Sequence, residues 1–371
     1  MAVRGQMTAQ DLGAGVRLAR ERARLTQEEL ARRVRMDRTA LNKVERGARR
    51  LAALELSDIA GALGVPMISF FEEPIPSVAS HHSARGLATK ESGVSAALER
   101  IAREVEFVQS LTEVGGVEPP QWPPLRSHEQ AEDMALSLRE QWGLEGREPA
   151  LDLVGKAADM SLYIFSAALG EDVTDAGVIA LRRGGVALVN GAQKVGRRRL
   201  CAVHELGHFL LGDEYTVDLR DTQGDRVEEY LDAFARTVLV PRAAIAARWA
   251  RWEAADGVRA AAVRMAGTYH VDMSTLARRL REVGAVDARG AGAVRAARTT
   301  KADMVTFDLH VRDDLEGTTQ PRVFQRAVLR LVEEERISRE RALELLGGTF
   351  QPGDLPAARR KGEDEAWDYA M

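Results

Sequence analysis

Apolar residues recur at helical spacing along most of the chain, and three short runs depart from that spacing. Near the start, Leu30, Ala31 and Val34 share one helical face, and Ala40, Leu41 and Val44 share another. Thr26 ahead of Gln27-Glu28-Glu29 has the form of a capping box, so the first of these helices starts at Gln27. Asp37 caps the second, which runs from Arg38 to Glu45. Val94, Ala97, Leu98, Ile101, Val105 and Val108 predict one helix within residues 94–113. Ser127 caps a further helix through Met134, Leu138 and Trp142, and Gly143 closes it. The three departures are β-branched or aromatic: Ser161 to Phe165, Val178 to Leu181 and Val186 to Asn190. Gly184-Gly185 between the last two predicts a hairpin. Helical patterns then resume, and Pro321 to Glu335 with Ser338 to Leu346 predict a helical hairpin ending at Gly347-Gly348. The fold class expected is mainly α with a small β-sheet (α+β).

Composition divides this pattern into stretches. Residues 1–71 are dense in Arg and read as an all-α unit of short helices joined by tight turns. Residues 72–126 carry two loose Pro- and Gly-containing stretches around the single helix, and are expected to be a linker with one connecting helix. Residues 127–283 hold the strands and a second globular unit. Residues 284–350 form a C-terminal helical region, for partner docking or dimerisation, that opens on a Gly- and Ala-rich stretch (284–301) expected to be a loose connector. The charged residues 351–371 are expected to be a disordered tail.

Charge and cysteine usage narrow the function classes. The chain of 371 residues has 52 Lys and Arg against 56 Asp and Glu, a net charge of −4, so it is no polycation. Residues 1–71 nevertheless hold 13 basic and 8 acidic residues, an excess of five positive charges. That local excess is what a phosphate footprint needs. A lone cysteine, Cys201, excludes a disulfide framework within the chain and reads as a small buried apolar side chain. The longest run without a charged side chain, residues 59–71, has 13 residues against the roughly 20 that span a bilayer. A cytoplasmic protein without membrane association is expected.

With Ala40, Leu41 and Val44 inward, Arg38, Thr39, Asn42 and Lys43 face outward, and these types read base edges or hold phosphates. The T-Q-E-E-L-A opening, the E-R-G after the second helix and the later A-L-G-V-P resemble the XRE, phage-repressor-like helix-turn-helix family. The resemblance implies a double-stranded DNA operator as partner, with Gln27 on phosphate or base and Arg38, Thr39, Asn42 and Lys43 in the major groove. It also implies binding as a homodimer.

The most informative stretch is His204-Glu205-Leu206-Gly207-His208. Two histidines four apart stand about 400° round a helix, on one face, so both imidazoles can reach one ion. Glu205 lies one step round from His204, placed to deprotonate a zinc-bound water. A catalytic site with one open position needs a third ligand. Glu228 supplies it from the helical pattern VEEYLDAFARTVLVP, with Leu231, Phe234, Ala235 and Val238 on its apolar side. Glu229 points about 100° away and is the second choice. Asp232, one turn after Glu228, either orients a ligand histidine or is a solvated charge.

Residues 127–283 resemble the ImmA/IrrE family of zinc metallopeptidases. The likeness rests on V-A-L-V-N, R-R-R-L-C-A-V-H-E-L-G-H-F-L-L-G, E-x-x-x-D-x-F-A-x-x-x-L-x-P and V-D-x-x-x-L-x-R-R-L. V-L-V-P in place of L-L-M-P, and Asp232 where Asn is frequent, are mild departures. The resemblance implies a zincin-like domain with Zn2+ held by His204, His208 and Glu228, and Glu205 as general base. It also implies a protein substrate, a repressor of stress-response or mobile-element genes. The expected function is a DNA-binding transcriptional regulator with a zinc endopeptidase domain, the strand Val186 to Asn190 offering its edge to an extended substrate. The alternative is a transcriptional repressor or antitoxin-like regulator whose metallopeptidase fold is a non-catalytic sensor or docking module. A third option is cleavage of the chain by itself within residues 72–126.

Overall fold

The computed structural model describes residues 8–22, 25–63, 67–70, 79–82, 91–112, 116, 119–170, 176–212, 222–310 and 314–357. They belong to two compact units, Met1–Ile75 and Pro76–Met371. No described helix is long and apolar enough to cross a membrane.

The first unit packs α1 (Ala9–Arg22), α2 (Gln27–Arg33), α3 (Arg38–Glu45) and α4 (Ala53–Leu63), with a 3-10 turn over Met67–Phe70. The caps form where the sequence puts them. Glu29 N–H donates to the Thr26 hydroxyl at 3.2 Å, and Thr26 N–H donates to the Glu29 carboxylate at 2.7 Å. Asp37 accepts from Thr39 N–H at 2.7 Å. Val16, Leu30, Leu41, Leu56, Ile59 and Phe70 make the core. One ion pair is buried with them: Arg20 Nε donates to Glu45 Oε1 at 2.6 Å and Nη2 to Oε2 at 3.0 Å, tying α1 to α3.

The second unit begins with β1 (Ala79–His82), α5 (Glu91–Leu111), α6 (His128–Gln141) and α7 (Leu153–Asp159). The strands β2 (Leu162–Ala167), β3 (Ala176–Ala180) and β4 (Gly185–Asn190) follow, then α8 (Val195–Leu211) and α9 (Thr222–Leu239). The remainder is helical: α10 (Arg242–Tyr269), α11 (Met273–Glu282), α12 (Ala288–Ala296), α13 (Lys301–Thr306), α14 (Arg322–Glu333) and α15 (Arg339–Leu345).

The sheet runs in the order β1-β3-β4-β2, with β2 parallel to β4 and the other pairs antiparallel. The β3–β4 hairpin turns through Gly184, whose φ of 77° suits a residue without Cβ. Register puts Leu162, Ile164, Val178, Ala187 and Val189 on one face, in the main core with α8. Tyr163, Phe165, Ile179, Val186 and Leu188 are buried on the other, where α5 packs on β3 and β4 and Phe165 meets Phe324 of α14 edge-on at 5.3 Å. Two covered faces explain why the strands are apolar throughout rather than alternating.

Four expectations change here. The helix in the stretch read as linker does not run free, because Val94, Leu98, Ile101, Val105 and Val108 turn its apolar stripe into the second layer over the sheet. The Gly- and Ala-rich stretch read as a loose connector forms α12, since small side chains let it lie close on α11, with Ala291 and Val294 fully buried. Residues 351–357 of the presumed disordered tail are held down. Leu355 is buried, and Arg339 donates to the carbonyls of Pro352 and Pro356 at 2.9 and 2.7 Å. The rest of that tail, 358–371, lies outside the described residues. Finally, Val186–Asn190 has no edge to offer a substrate, because β4 is bonded on both sides, by β3 and β2.

Candidate metal centre

Helix α8 carries the first two candidate ligands through the core. Every residue from Arg198 to Leu210 is buried, and Gly212 ends the helix in the left-handed conformation at φ 60°. Helix α9 crosses beside it, burying Leu231, Phe234, Ala235 and Val238 as its apolar periodicity dictates. Glu228 thereby reaches the α8 histidines from the solvent side. Its side chain is 30% exposed against 1% for each imidazole. The neighbouring Glu229 is exposed and drops out as the competing ligand.

Among the described residues, His204, His208 and Glu228 form a group that could hold a metal ion, their candidate donor atoms within 4.8 Å of one another. His204 Nε2 lies 3.1 Å from His208 Nε2 and 3.2 Å from Glu228 Oε2, and His208 Nε2 lies 3.3 Å from Glu228 Oε1. Tetrahedral zinc with bonds of about 2.0–2.1 Å puts its N and O ligands roughly 3.3–3.4 Å apart. The donor set therefore has the spacing of three corners around such an ion. Its chemistry agrees. The Asp232 carboxylate can only accept, so at 3.2 Å His204 Nδ1 must donate to Asp232 Oδ1. In its neutral form His204 then points a bare Nε2 lone pair at the same spot as a second imidazole and a carboxylate, an arrangement suited to a cation. Burial lowers the His204 pKa, but the Asp232 and Glu228 carboxylates outweigh it and hold it above the ordinary imidazole value.

Glu205 follows His204 on α8 with no exposed surface. Asp232, which sequence alone left between an orienting role and a solvated charge, stands at hydrogen-bond distance from the His204 ring. Cys201 is buried and packs as a small apolar side chain in the main core. Sequence reasoning passed over Arg236 and Glu282. Arg236 Nη1 is 3.4 Å from Asp232 Oδ2, and its Nη2 is 2.8 Å from Glu282 Oε1. The available signal was the four-residue spacing of Asp232 and Arg236 on one helical face.

In the first unit, Arg38, Thr39 and Lys43 are exposed on α3. Asn42 and Gln27 are half-buried and bonded together, Asn42 Nδ2 donating to Gln27 Oε1 at 3.3 Å and Gln27 Nε2 to Glu45 Oε2 at 2.8 Å. The Thr39 hydroxyl is turned onto the Asp37 cap.

Residues 16–70 match the helix-turn-helix family and residues 161–281 match the IrrE N-terminal-like domain family. An uncharacterized transcriptional regulator in the ATPase CF(0) region of Rhodospirillum rubrum is 44% identical over 62 residues, 17% of this chain and 57% of that protein. The chain thus spans little more than half of that relative. Among solved structures, the hypothetical transcription factor NHTF from Neisseria is 35% identical over 19% of this chain and 79% of its own, with a TM-score of 0.18. The apo competence regulator ComR from Streptococcus vestibularis is 12% identical over 83% of this chain and 95% of its own, with a TM-score of 0.17.

Proposed function

From a chain that joins an XRE-type helix-turn-helix domain to an IrrE/ImmA-like domain, we propose a transcriptional regulator that is also a zinc-dependent endopeptidase. The observation that carries this reading is the convergence of His204, His208 and Glu228 beside the buried Glu205. The two imidazoles and the Glu228 carboxylate would hold Zn2+. When bound, that ion would supply Lewis acidity, polarising a peptide carbonyl and lowering the pKa of a water to about 7.

The chain's own side chains do the rest. Asp232 fixes His204 in the Nδ1–H tautomer, which leaves Nε2 as the donor atom. Glu205 takes the proton of the attacking water and delivers it to the leaving amine. Its complete burial keeps competing water away from the carboxylate. The α3 face with Arg38, Thr39, Asn42 and Lys43, together with Gln27 at the start of α2, docks a double-stranded operator, the whole protein acting as a homodimer. The substrate is a regulatory protein, with a repressor the first candidate, because anchoring the peptidase at an operator raises its local concentration beside other DNA-bound proteins.

The test is metal analysis of the purified chain beside His204→Ala and Glu228→Ala, with hydrolysis of a quenched-fluorescence peptide library by the wild type and Glu205→Gln. One zinc per wild-type chain, metal loss in the two ligand variants and silence of metal-replete Glu205→Gln are the expected results. Equal cleavage by Glu205→Gln and the wild type would remove Glu205 from the mechanism. Metal binding with operator binding but no proteolysis would instead make the second unit a sensor or docking module.

A further inference from the structure

Behind the proposed metal centre, a line of charged side chains leads away from His204 into the protein. Among the described residues, the oxygens of Asp232 meet two neighbours: Oδ1 lies 3.2 Å from His204 Nδ1 and Oδ2 lies 3.4 Å from Arg236 Nη1. Arg236 is one turn further along α9, and its side chain is 3% exposed. The other edge of its guanidinium meets Glu282, the last residue of α11. Nε donates to Oε2 at 3.2 Å and Nη2 stands 2.8 Å from Oε1.

We propose that Arg236 is a positioning residue of the metal centre, holding Asp232 in the rotamer that orients His204 and being itself aimed by Glu282. The inference rests on the proposed function above. Asp232 is 23% exposed, so water can compete for its carboxylate. Anchoring Oδ2 is what keeps Oδ1 on the imidazole. A guanidinium suits this task because its donors lie in one rigid plane, so clamping one edge on Glu282 fixes the direction of the other. Asp232 and Arg236 alone would move together with α9. Glu282 adds a fixed point on a different helix, so the orientation of a ligand ring depends on the packing of α11 against α9. A buried arginine serving stability alone would need Glu282 but no second carboxylate in contact with a ligand.

The experiment uses the full-length chain and reads the zinc dissociation constant by competition with a chromogenic chelator, together with the visible spectrum of the Co2+-loaded protein. Arg236→Met combined with Glu282→Gln removes both charges and leaves neither buried alone. We expect weakening of zinc binding by about 10-fold or more, the usual size for loss of a partner behind a ligand, and an altered Co2+ spectrum. Arg236→Lys keeps the charge without the fork and should fall between. A double variant with wild-type circular dichroism and an unchanged zinc constant overturns the proposal. If that variant does not fold, a cycle between Arg236→Lys and Asp232→Asn decides. Non-additive effects on the zinc constant support action through Asp232, and additive effects refute it. A wild-type chain that binds no zinc is a distinct outcome, visible without any variant, and it defeats the peptidase reading and this inference together.

Discussion

Gly207 stands between the two candidate ligand histidines on α8, and its missing side chain sets how near α9 can come. A Cβ there would lie 2.6 Å from Leu231 Cδ2 and 3.1 Å from Phe234 Cδ1, both in side chains buried on α9. Those residues follow Glu228 within two turns, so pushing them away also withdraws the candidate third ligand. Gly207→Ala should therefore destabilise the second unit by about 1–3 kcal/mol, as overpacking of a tight core does. Zinc affinity should fall at the same time. Calorimetry and chelator competition on one preparation check both, and a variant that melts and binds as the wild type does would show that α9 has room to spare. The residue types of this site were legible in sequence, because ligand chemistry restricts them to His and Glu at helical spacing. The tight approach that Gly207 permits was not, since it depends on which residues of another helix arrive opposite.

Helices of the second unit are tied by charged pairs as well as by apolar packing. Glu132 of α6 lies between Arg242 of α10 and Arg279 of α11, at 3.2 and 3.1 Å. Burial pushes its pKa up, but the two guanidinium groups outweigh burial, and the net shift is downward. A carboxyl depressed in the folded state stabilises above its unfolded pKa of about 4.3 and loses that contribution as pH falls through the folded value. The wild type should therefore lose more melting temperature than Glu132→Gln between neutral pH and about pH 4, where unfolded glutamates gain protons. Equal losses would mean that the pair is fully screened by solvent. In the first unit the Arg20–Glu45 pair is more deeply buried. Arg20→Met leaves Glu45 charged inside the core and should cost about 3–5 kcal/mol, whereas Arg20→Met with Glu45→Met should recover most of it. Denaturant titration of both proteins separates the two cases. The caps at Thr26, Asp37 and Ser127 were readable beforehand because a cap is a contact within three residues. The cross-helix pairs were not, because Glu132 and Arg279 are 147 positions apart.

At the scale of the molecule, the sheet is covered on both faces, and the second cover arrives from both ends of the unit. Segments around 314–319 close on it: Ser166 and Thr319 exchange backbone hydrogen bonds at 3.0 and 3.1 Å, and the buried Arg199 reaches Asp314. Removing residues 314–371 should uncover the Phe165 face and yield aggregating protein that binds a hydrophobic dye. Phe324→Ala in the full chain should remain soluble but lose about 3–5 kcal/mol. A soluble, dye-negative truncation would mean that α14 and α15 are an appendage.

Sequence alone specified the helix-turn-helix, with its caps and the exposed Arg38, Thr39 and Lys43 of α3, the three strands from residue 162 to 190, and the His-Glu-x-x-His helix. Each of these is set by side chains within about one or two turns of one another, where spacing and hydrogen-bond chemistry leave few alternatives. Tertiary packing alone laid α5 and α14 over the sheet, enclosed β4 and stood Arg236 behind Asp232, and it brought Glu228, the first choice from helical spacing, onto the imidazoles. Those outcomes depend on which distant surfaces lose water together, and burial free energy carries no record of separation along the chain.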